Sequence, residues 1–336
     1  MRQRYSAVYS FVLFSFALMF GSSPAAADPL YHLLTTIPVP SNPAGNVQGG
    51  AFTGYDIAYF DGTTQLMYLA DRSNATVDIF SAQTNSFVGR VGSFVGIQPQ
   101  PVNPATVNND ISGPDGVVVA NFGGAKQLWA GDGPSLLKGF DLTLPGSPPL
   151  SGTPINTGAV PPTRVDEMAF DPRDHLLLVA NNAAAPPFAT LVDTQSRAIV
   201  TKITFNGTNA DGHNAPNATN GIEQSVWDPS HGGRFFISIP ELNGGGPGGV
   251  AELDISGNVT HVYNLGSAAL GGFAACSPAG LALNTTSGKL MVGCGVASQS
   301  ILLDPNANGG NGSTKAFPQV SGEDMVLACR SPAWYS

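Results

Sequence analysis

A quadruplet of short apolar runs recurs along this chain, and that recurrence restricts its fold more than any other feature. Residues 166–172, 176–181, 189–196 and 198–203 are rich in leucine, valine, isoleucine and alanine, with turn residues between them. Each run is long enough for a strand and too short for an ordinary helix. The same order returns at 56–61, 65–71, 77–80 and 86–91, and again from 115, from 223 and from 279, with a sixth start at 324. Self-similarity at a period of several tens of residues marks a repeat architecture.

Four strands per unit, repeated five or six times, predict an all-β chain: a β-propeller of about six four-stranded blades. Each small sheet then buries both faces against its neighbours, which accounts for apolar residues at consecutive positions. A β-sandwich is the competing fold, but it does not require units that resemble one another. Composition agrees with many short strands and tight turns: 41 glycines, 27 prolines and only 11% charged residues. The net charge of −9 and the lack of a basic patch argue against nucleic acid as a partner.

The string HLLLVANN at 175–182, followed by TLVDTQSRAIVTKI at 190–203, resembles the repeat of YVTN-type (YncE-like) propellers, within the broader group of NHL and SMP-30-type six-bladed propellers; MYLADRSN at 67–74 is a second match. The resemblance spans most of residues 54–306. It implies a fold and leaves the chemistry open, because related propellers serve as binding modules, hydrolases and redox enzymes.

Two arginines, an apolar run at 7–21 and small residues up to Ala27 have the form of a signal peptide over 1–27. The expected product is exported to a periplasmic, extracellular or cell-surface location, with residues 28–336 as one propeller domain and no membrane span after cleavage. An uncleaved N-terminal anchor is the alternative. Residues 33–39 repeat the outer-strand pattern, so they are expected to close the ring by pairing in the last blade. Only one inner strand fits after 324, so the last blade reads as incomplete, truncated or altered in frame; a five-bladed ring with an irregular tail is the alternative.

In a propeller, the segments leading into the innermost strands meet at one mouth of the central channel. The aligned positions are Asp56, Asp115, Asp166, Glu223, Ala279 and Asp324, nearly all acidic. Such a ring either binds a cation or raises the pKa of some members. Oxygen donors favour calcium or magnesium over zinc, with calcium the cation expected and Asp166 and Glu223 as its candidate ligands. The alternative is that each carboxylate caps its own turn. Glu167, Asn181 and, on the long polar loop 206–220, His213 complete the candidate ligand-binding set. Cys276 and Cys294 are expected to reach the same mouth from adjacent antiparallel strands and to form a disulfide, leaving Cys329 free.

No nucleophile elbow, paired-histidine motif, phosphate-binding glycine loop or haem-attachment motif occurs. The function expected is therefore an exported module that binds a small molecule or protein at the loop-rich mouth. The alternative is a calcium-dependent hydrolase similar to lactonase-type propellers.

Overall fold

Every sheet in the body of this protein is a meander in which consecutive strands pair antiparallel. The structure, a computed structural model, describes residues 33–104, 106–295, 299–318, 320, 325–328 and 334–335. The first blade is β1 (Ala58–Asp61), β2 (Leu66–Asp71), β3 (Thr76–Ser81) and β4 (Ser86–Val91). The second is β5 (Val117–Phe122), β6 (Ala125–Asp132), β7 (Leu136–Asp141) and the two-residue β8 (Ile155–Asn156). The third is β9 (Met168–Asp171), β10 (Leu176–Asn181), β11 (Phe188–Asp193) and β12 (Ala198–Thr204). The fourth is β13 (Ser225–Asp228), β14 (Arg234–Ile239), β15 (Gly249–Leu253) and β16 (Val259–Asn264). The fifth is β17 (Pro278–Asn284), β18 (Lys289–Cys294), β19 (Ser300–Asp304) and β20 (Ser313–Phe317). Among the described residues there is no α-helix, and none is long and apolar enough to cross a membrane.

The acidic residue that ends many of these strands is a turn device. Asp193 Oδ1 accepts from the amides of Gln195 and Ser196, each at 2.8 Å. Asp61, Asp171, Asp228, Asp254 and Asp304 accept in the same way from the amide two residues on. In several of these loops the chain then swings into the left-handed region before the next strand, at Gln65 (φ 58°), His175 (φ 61°) and Arg197 (φ 59°). This Asx geometry satisfies amides that the ladder cannot reach.

Alternation within each strand binds blade to blade. Along β10, Leu177 and Val179 pack with Val118, Trp129 and Leu137 of the second blade. Leu178 and Ala180 pack with Phe235, Ile237 and Leu253 of the fourth. Side chains at successive strand positions point to opposite faces, so a sheet covered on both sides needs an unbroken apolar run, as β10 has. Similar clusters join the first blade to the second and the fourth to the fifth.

The blade count differs from the sequence expectation. Five blades have four strands, not about six. Beyond them, among the described residues, β21 (Leu327–Ala328) pairs with β22 (Trp334–Tyr335) alone. β21 lies against β17, the innermost strand of the fifth blade, and Gln224 Oε1 accepts from the amides of both Leu281 and Val326, at 2.6 and 3.0 Å. Nor do residues 33–40 form a closing strand; Leu33 and Leu34 are each 79% exposed. The chain divides into two units, Met1–Thr36 and Ile37–Ser336. The signal segment 1–27, Asp324 and Cys329 lie outside the described residues.

Candidate functional site

The mouth carboxylates are brought together, and two arginines stand between them. Asp56, Asp115, Asp166 and Glu223 each precede an innermost strand by a few residues, so the inner strands carry them to one end of the axis. Close approach of the second and third blades depends on Gly116, where a Cβ would lie 2.0 Å from the Asp166 carbonyl oxygen.

Arg72 follows β2. Its Nη2 pairs with both Asp56 and Asp115, its Nε donates to Asp115 Oδ1 at 3.0 Å and its Nη1 to Asn109 Oδ1 at 3.3 Å. Arg164 Nε lies 2.8 Å from Asp166 Oδ2 and 3.0 Å from Asn182 Oδ1. Asn182 Nδ2 in turn donates to Glu223 at 3.4 Å. Asp115 is fully buried, and Asp166 and Arg72 nearly so.

Burial sets the protonation balance. It pushes Asp56 up to about 6, helped by the charge on Asp166 and opposed by Arg72 and Arg164. Burial likewise holds Asp115 well above the usual carboxylate range, against the pull of Arg72. Burial disfavours the charge on Arg164 also, but Asp166, Asp115, Asp56 and Glu223 outweigh it and raise its pKa. Like charges crowd here, and the guanidiniums are what keep them tolerable.

The other sequence candidates fall in different places. Glu167 is buried and lines the axial channel. Asn181 is buried and donates to the Arg164 carbonyl at 3.3 Å, so it holds the arginine segment in place. His213 sits at the outer rim of the third and fourth blades: its Nε2 is 2.8 Å from Thr201 Oγ1 on β12, and its carbonyl accepts from Val259 on β16. Only the far end of its loop reaches the mouth, pinned by the bonds of the Asn217 carbonyl to the Asn243 amide and of the Thr219 amide to the Glu241 carbonyl. Cys276 and Cys294 are joined, with Sγ atoms 2.07 Å apart, beneath that face.

The mouth opens as a pocket of about 560 Å³ between the third and fourth blades. Arg164, Asn182 and Glu223 line it, with Asp110 on one side and Asn217 and Asn220 on the other. Arg72 and Arg164 were absent from the sequence-derived site, whereas Asn182 stands, with Asn181, at the strand end expected to reach the mouth. A usable signal existed: the chain has only 14 basic residues, and Arg164 stands two positions before a mouth carboxylate. Arg72 and Asn182 occupy the same place in their repeats, one residue past the second strand.

No known family profile matches the chain, and no curated protein matches it in sequence. Hydrazine synthase of Kuenenia stuttgartiensis is similar in structure, with a TM-score of 0.55 at 11% identity over 81% of this chain and 77% of that one. A functionally unknown protein from Desulfotomaculum acetoxidans gives a TM-score of 0.47 at 10% identity, covering 83% and 70% of the two chains. A chain of the nidogen/laminin complex gives 0.47 at 14% identity, covering 76% and 80%. At 11% identity the first likeness concerns architecture and leaves chemistry undetermined. It agrees with the strand topology: the chain is a β-propeller with five four-stranded blades.

Proposed function

We propose that this protein is an exported binding module of the YVTN-type propeller group, and that it takes a small polar ligand in the mouth pocket between its third and fourth blades. One observation carries the reading: Arg164, Asn182 and Glu223 converge on a concavity of about 560 Å³. A pre-formed cleft with a few oriented donors and acceptors is the usual form of a ligand site. The pocket offers a guanidinium, carboxylates and amides, a set that suits a neutral or zwitterionic ligand rich in hydrogen-bonding groups. The Cys276–Cys294 bridge supports export, since disulfides persist in oxidising compartments. The antiparallel order β10, β11, β12 across the best-matching repeat supports the YVTN resemblance.

The test is a thermal-shift panel of amino acids, monosaccharides and polyols on the wild type and on Glu223→Gln. At least one class is expected to raise Tm of the wild type and to do so by less than half as much in the variant. No shift with any class would sink the reading. Calcium belongs in the same panel. A calcium site built on Asp166 and Glu223 would have to displace Arg164 from Asp166, so no calcium-dependent shift is expected. A calcium-dependent shift that is lost in Glu223→Gln would favour the hydrolase reading instead.

A further inference from the structure

A second concavity lies along the axis and is separate in chemistry from the mouth. It encloses about 460 Å³ between the innermost strands. Its walls are mainly apolar: Val117 and Val119 of β5, Met168 and Phe170 of β9, and Leu281 and Leu283 of β17. Tyr59 and Trp227 add ring surfaces. Among the described residues no lysine, arginine or histidine lines it, whereas the buried carboxylate of Glu167 does.

Ser225, on β13, also lines this channel. It is 5% exposed, and its Oγ has no hydrogen-bond partner among the described residues. A buried hydroxyl left unmet is destabilising, so such groups are ordinarily satisfied by water or by a bound molecule. Its neighbour Gln224 is already engaged through Oε1 with Leu281 and Val326, which fixes the wall on that side.

We propose that the axial channel binds an apolar small molecule that carries one group able to hydrogen-bond to Ser225 Oγ. The volume falls within the range of ligand cavities, about 300–1,000 Å³. The aromatic rings favour a flat or cationic ligand through stacking and cation–π contact. This site is independent of the mouth pocket, and the two are tested by different variants.

The probe is N-phenyl-1-naphthylamine, which is uncharged, apolar and bears one N–H. Its fluorescence is expected to rise saturably with one site per chain and to be unaffected by Glu223→Gln. Val226→Trp, which places a large ring in the channel, is expected to weaken binding at least tenfold, and Ser225→Val to weaken it severalfold. Should Val226→Trp alter the far-ultraviolet circular dichroism, Ala58→Phe fills the same channel from β1. Absence of saturable binding, more than one site per chain, or unchanged affinity in a folded channel-filling variant would overturn the proposal.

Discussion

Arg72 shows how a single side chain can govern a cluster of carboxylates. Its guanidinium is nearly buried and touches Asp56 and Asp115, both raised by burial. Removing one partner of a buried pair leaves an uncompensated charge, which typically costs about 3–5 kcal/mol. Arg72→Ala is therefore expected to destabilise the fold by that order at pH 7, measured by denaturant unfolding. The sign of the pH dependence follows from Asp56. Its folded pKa, about 6, exceeds the ordinary 3.8, so the folded state holds a proton that the unfolded state has released between those values. Its contribution to stability then falls as pH rises from about 4 to about 6. The penalty of Arg72→Ala should be smaller at pH 5, where Asp56 is largely protonated. An equal penalty at pH 5 and pH 7 would show that Asp56 is not the group responsible.

At the scale of the element, the strand-ending acids and the mouth acids look alike in sequence and behave differently. Asp193 and its counterparts bond amides within their own turns, whereas Asp56, Asp115 and Asp166 bond arginines. For Asp56, Asp115 and Asp166 the described contacts are thus to guanidinium groups of Arg72 and Arg164. Asp193→Ala should cost about 1 kcal/mol, the usual worth of such a side-chain cap, and thermal unfolding should show a small drop with no change of secondary structure. Strand positions were legible because apolar runs and turn residues are local signals. The short β8, after the proline-bearing loop 142–154, was not read, because two residues carry no pattern.

For the whole molecule, stability resides in the contacts between blades. Leu191 is fully buried in the cluster shared by the third and fourth blades. Leu191→Ala should cost about 2–5 kcal/mol, because a cavity between two packed sheets closes only in part. The loss should appear in chemical denaturation as a lower midpoint of the main transition. A change confined to a minor early transition would mean that the two blades unfold independently.

The sequence by itself determined that short β-segments recur in fours, that inner strands are apolar on both faces, and that acidic residues stand at equivalent places in successive units. Those are properties of neighbouring residues, and local periodicity reports them. Tertiary structure alone decided that the described residues form five four-stranded blades, that residues 33–39 are not themselves a strand, and that Arg72 and Arg164 reach the mouth carboxylates. Arg72 is 43 positions from Asp115, and chain proximity carries no information over that distance. Curling the sheets about one axis shortens it to a hydrogen bond, and burial there then sets the charge each group can bear.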